Sequence, residues 1–164
     1  MRNGITRVVL IVMSVFLLAG VALTAYMLFN IDSREIINVD IDDSGEAGVD
    51  FSSLIINPGD SEEYVLSIGS ELPGECKMTI DFMETKEGIL KDYVYVVVEA
   101  NGKVLCDCLL ADAFEREEPL ELDCIMSKTK KFDVKVKYYM PIDVDNSAEN
   151  ADSDFIIKIT VSNE

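Results

Sequence analysis

Four cysteines, Cys76, Cys106, Cys108 and Cys124, carry the plainest covalent chemistry in this 164-residue sequence. An even number of thiols suits a disulfide framework if the chain leaves the cytoplasm. Alternation puts all four on inward faces, Cys106 and Cys108 together with Val104. A bond between Cys106 and Cys108 would close almost no loop and add little, whereas bridges from that pair to Cys76 or Cys124 would tie separate strands. Four cysteines allow three complete pairings, and the sequence leaves all of them open. Buried thiols packing as small hydrophobes are a second reading. A zinc site of four thiolates is a third, although the Cys-x-Cys spacing lacks a second paired knuckle.

Oxygen ligands concentrate near the C-terminus. Asp143, Asp145, Ser147 and Asp154 fall at positions 1, 3, 5 and 12 of an EF-hand-like register, which would give weak calcium binding. Ala148 stands where that loop needs glycine, and flanking helices are missing, so a solvated loop before the last strand is the simpler reading. No other cofactor is expected. Histidine is absent, which removes the usual neutral-pH base, the Ser-His and Cys-His nucleophile pairs and HExxH zinc chemistry. There is no GxSxG, P-loop or GxGxxG motif. Acids are plentiful, yet nothing singles out a carboxylate pair for hydrolysis. The expectation is a protein without catalytic residues.

The elements that hold these residues read as short strands. Phe51–Ile56 is apolar and stops at Asn57-Pro58-Gly59-Asp60, a turn. Tyr64, Leu66 and Ile68 alternate with polar neighbours. Cys76, Met78, Ile80 and Phe82 do the same after a second turn at Leu72–Glu75, and a loop is expected around Glu84–Gly88. Tyr93–Val98 is a β-branched and aromatic run, and Asn101-Gly102 joins it to Lys103–Leu110 as a hairpin. An acidic connection spans Ala111–Pro119, with a short helical turn at Ala111–Glu118. Leu120–Met126, Phe132–Tyr138 and Phe155–Val161 complete the pattern. About eight strands with one buried face each predict an all-β fold, an antiparallel β-sandwich with jelly-roll-like connections.

The chain opens differently. Val8–Phe29 is uncharged and long enough to cross a bilayer as a helix. Arg2 and Arg7 precede it, whereas Asp32, Glu35 and Asp40 follow, so the remainder faces outward. Gly20-Val21-Ala22 and Ala25-Tyr26-Met27 offer cleavage sites, while apolar residues continue past both. Signal peptide and membrane anchor both stay open. Residues 1–29 are read as that segment, 30–50 as a linker with a first or donor strand around Ile36–Ile41, and 51–164 as the sandwich. The chain carries a net charge of -17. Beyond residue 29 it has 12 basic and 31 acidic residues, a net charge of -19. Such a surface repels nucleic acid and suits solubility outside a cell.

Four stretches together resemble the TasA and camelysin family of exported Gram-positive proteins, which includes biofilm-matrix fibre subunits. They are Leu23–Asp32, similar to the family's leader end; Ile56–Ser61, similar to its Pro-Gly-Asp turn; the Val94–Val104 hairpin; and Met140–Asn146 with Asn150–Val161, similar to its closing proline, polar loop and strand. Met27 departs from the small residue usual before the cut, and four cysteines exceed the family's habit. The resemblance implies a jelly-roll domain in a secreted or cell-surface structural role. It also implies assembly in which a strand of one subunit completes the sheet of the next. Leu28–Ile41 would be the donor here, or else pair within its own sandwich. Two alternatives remain: a membrane-anchored module binding a partner protein or polysaccharide, and, more remotely, a camelysin-like metalloprotease. The implied partners are further copies or related matrix proteins, and the membrane if Val8–Phe29 is retained.

Overall fold

The computed structural model describes residues 35–42, 44–70, 74–127, 130–144, 148 and 152–163. The Val8–Phe29 segment lies outside them. Among the described residues, no helix is long and apolar enough to cross a membrane.

Among the described residues, nine strands form two facing sheets: β1 (Glu35–Ile41), β2 (Glu46–Leu54), β3 (Ser61–Ser70), β4 (Gly74–Lys86), β5 (Tyr95–Ala100), β6 (Lys103–Leu109), β7 (Leu120–Met126), β8 (Phe132–Tyr139) and β9 (Ser153–Asn163). One sheet has the order β1-β3-β8-β5-β6, the other β2-β9-β4-β7. The antiparallel ladders β2·β9, β3·β8, β4·β7 and β5·β6 are nested, as in one long hairpin whose tip is the β5–β6 turn. Folding that hairpin over itself gives the jelly-roll arrangement that alternation predicts. At the tip, Asn101 and Gly102 both take positive φ (53° and 73°), the backbone a tight two-residue hairpin requires.

The interior is filled from both sheets. Phe51 of β2 stacks on Phe155 of β9 at 5.3 Å between ring centroids, and Tyr138 of β8 meets both rings edge-on. A short helix, α1 (Leu110–Phe114), caps one end, with Phe114 against Phe155 at 5.7 Å. Leu110 donates its N–H to Val94 O at 2.8 Å, tying the helix to the approach of β5.

Several expectations change. The first strand expected around Ile36–Ile41 is β1, and the rest of the 30–50 segment also supplies the first part of β2, which begins at Glu46 before Phe51. Its Ala47, Val49 and Phe51 alternate with Glu46, Gly48 and Asp50, a period-two pattern obscured by the acidic composition. The sheets are not wholly antiparallel either. β1 pairs with β3 in parallel, from Glu35 opposite Tyr64 to Ile41 opposite Ser70. The chain leaves β1, crosses to β2 in the other sheet and crosses back to β3, so two reversals restore the original direction. β4 runs on to Lys86, through part of the region read as a loop. Finally, Leu105 is an extra residue in β6, since Cys106 opposes Val98 while Val104 opposes Glu99. This bulge turns Val104 outward, to 53% exposure, instead of inward beside the cysteines.

Candidate functional site

Little in the described residues suits acid–base chemistry. Asp42 accepts hydrogen bonds from the Ser44 hydroxyl and, at 2.8 Å, from its backbone N–H. Those bonds hold its carboxyl below the usual range, which makes it a poor general acid. Glu84 accepts from Lys91 Nζ at 2.8 Å and from Gly88 N–H at 3.3 Å, so its carboxylate fastens the end of β4 to the turn that follows.

The sheet edges are more distinctive. β1 borders the five-stranded sheet. Val39 and Ile41 are buried, Ile37 packs partly against the core, and Ile36 points outward at 64% exposure. The first half of the strand is thus lightly held, and its second half is the anchor. Lys131 reinforces that half: its Nζ donates to Asn38 Oδ1 at 2.9 Å and lies 3.8 Å from Asp40. The link to β2 is a tight turn. Gly45, at φ 80°, donates to Asp42 O and accepts from Val161 N–H at 2.7 Å. A Cβ there would sit 2.7 Å from Val161 O, so only glycine fits. β7 borders the four-stranded sheet. It turns Glu121 and Asp123 towards solvent, which discourages edge-to-edge pairing, and it exposes Ile125 at 65%. An open groove of about 1190 Å³ lies over the end of the sandwich where β4 begins and β7 finishes. Ile36, Ile125 and Phe132 line it together with three lysines (Lys130, Lys131 and Lys135) and four acids (Glu75, Glu99, Asp123 and Asp133), so its charge is mixed.

The thiols fall on different sheets. Cys76 of β4 and Cys124 of β7 are direct partners in one antiparallel ladder, 3% and 4% exposed. Cys124 donates its S–H to Cys76 O at 3.5 Å. Burial pushes the Cys124 thiol up to about 11, with Cys76 and Asp123 adding to the effect. Cys106 is buried on β6, its Sγ 3.1 Å from that of half-buried Cys108 and 3.7 Å from the Arg116 guanidinium. Burial is also the main reason the Cys106 thiol rises to about 12.

The four calcium candidates are not seen converging. Asp143 lies exposed in a turn, and Asp154 is in β9 opposite Lys86. Asp145 and Ser147 lie outside the described residues. Among the described residues, no group of three or more metal-ligating side chains is close enough to hold an ion. Ala148 is fully buried in the core. The parallel register of β1, the Lys131 clasp and the groove escaped sequence reasoning. The Asp42–Gly45 turn between two alternating segments was the signal available for the first.

No protein-family model matches the chain, and no curated protein is significantly similar to it. Among solved structures, it is similar to PliG from Aeromonas hydrophila, a periplasmic lysozyme inhibitor of g-type lysozyme (11% identity, TM-score 0.38, 79% of this chain and 99% of that one). It is also similar to the pre-peptidase C-terminal domain of a Bacillus anthracis collagenase (10%, 0.35, 79% and 94%). A third is the CUB1-EGF-CUB2 region of rat MASP-1 (11%, 0.40, 79% and 44%).

Proposed function

We propose that the chain is an exported, non-enzymatic structural or surface module that assembles through its sheet edges, with β1 as the strand that can be exchanged. One observation carries the reading. The first strand is a detachable-looking border: it joins the sheet through β3 alone, is lightly buried over its first half, and leaves an edge of unpaired backbone groups on β3 when it departs. A like strand from a second copy would satisfy that edge in the same register. The uncharged run Val8–Phe29, flanked by Arg2 and Arg7 on one side and acids on the other, supports export. The resemblance to the TasA and camelysin family supports a role in a matrix or cell surface. Electron microscopy of the chain from residue 28, across a concentration series, tests it. Fibres or higher oligomers are expected, and monomers throughout overturn the assembly.

A second reading follows from the apolar residues that continue past the cleavage motifs: a membrane-anchored module presenting its sandwich to a partner protein or polysaccharide. The mass of the mature protein separates the two. An intact amino terminus in the membrane fraction favours the anchor, and a soluble chain beginning near residue 23 or 28 favours the matrix role. A metalloprotease reading lacks histidine ligands in this sequence.

A further inference from the structure

We propose that Cys76 and Cys124 are joined, in the exported protein, by a cross-strand disulfide that rivets the border strand β7 to β4. Sequence alone leaves three pairings, and the fold separates them. Cys76 and Cys124 face each other in an antiparallel ladder. Facing residues there have Cα atoms about 4.5–5.5 Å apart, within the span a disulfide bridges. Both side chains leave the same face of the sheet, and Cys124 Sγ already lies against the Cys76 carbonyl at 3.5 Å. Cys106 and Cys108 sit on the other sheet, beside one another at 3.1 Å between sulfurs.

The bridge can form and would matter. Cys76 is near the start of β4, and Cys124 is near the finish of β7, where ladder ends open most readily. Both residues border the groove at that end, 3% and 4% exposed, so an oxidant reaches them when the ladder end opens. One thiol deprotonates and attacks an external disulfide, carried by a thiol oxidoreductase or by oxidised glutathione. A mixed disulfide forms and one reduced sulfur leaves. The second protein thiolate then attacks the mixed bond and expels the other. The protein loses two protons and two electrons, and the oxidant gains them as two thiols. The raised Cys124 thiol slows the step in the closed fold, so bonding proceeds during folding or when the ladder end frays. The bond encloses most of the chain between β4 and β7, whereas Cys106–Cys108 encloses one residue and constrains almost nothing.

This proposal rests on the export reading, and its test separates the two. Full-length protein is recovered from cells under alkylation without reductant, digested and mapped. In parallel, purified reduced protein is treated with oxidised glutathione. A Cys76–Cys124 linked peptide is expected in both. The oxidised protein should melt about 10 °C higher than the reduced. The C76A/C124A variant should melt at a temperature indifferent to reductant. Linkage of Cys76 or Cys124 to Cys106 or Cys108, or no linkage with glutathione, overturns the proposal on geometry. Linkage with glutathione but alkylated thiols from cells overturns the proposal for the native protein, and the fraction in which the protein is recovered, cytosolic or exported, decides the export reading separately.

Discussion

At the scale of single residues, the core holds a cost that a substitution can remove. The Tyr138 hydroxyl is buried with no hydrogen-bond partner among the described residues. Leaving such a group unsatisfied costs about 1–3 kcal/mol. Tyr138→Phe should therefore leave stability unchanged or raise it by about 1 kcal/mol, read as the urea midpoint. Phe155→Ala should do the reverse. Its ring is fully buried and touches Phe51, Phe82, Phe114 and Tyr138. Its loss should cost about 3–5 kcal/mol, a large share of the stability such a domain has. Alkaline pH acts on the same interior. Burial holds Cys124 up to about 11 and Cys106 up to about 12, and it raises Tyr138 well above the usual phenol value. Each group is neutral in the fold at a pH where the unfolded chain is already ionised. Stability of the reduced protein is therefore greatest below the unfolded thiol value of about 8.5, and falls as pH rises through 11 and 12. Denaturant titrations at stepped pH should show that decline, and prior oxidation of Cys76 and Cys124 should lessen it.

At the scale of elements, the strands with clear local signals were legible and those defined by distant partners were not. Phe132–Tyr139 alternates cleanly and is β8, and Asn101-Gly102 turns where its dipeptide says it should. β1 was visible as an apolar patch, but nothing within seven residues reveals that it lies parallel to β3. That register depends on a crossover through the opposite sheet. The outward turn of Val104 was equally hidden, since one extra residue at Leu105 reverses the parity of everything beyond it. The same geometry makes Gly45 a hinge that tolerates no side chain. Gly45→Ala should lower the melting temperature, at a cost of about 1–3 kcal/mol, through an unfavourable φ and the clash with Val161 O. It should also weaken the seating of β1, detectable as faster amide exchange at Val39 and Ile41.

At the scale of the whole molecule, charge sets how copies meet. With 31 acidic against 14 basic side chains, neighbouring subunits repel over distances that added salt shortens. Assembly through β1 should therefore quicken between low and physiological ionic strength. Light scattering that shows no response to salt would sever the link between charge and association. The candidate site was less legible than the fold, because thiols and edge strands become a site only when the ladders place them. The nested ladders carry one more consequence. β9, which lies between β2 and β4, follows the other eight strands of the sandwich in the chain and is made after them. Until Ser153–Asn163 emerges, the four-stranded layer lacks its middle and cannot close. A chain threaded through a narrow channel from its amino end would stay threadable through eight strands, and its sandwich would set only after β9 came through.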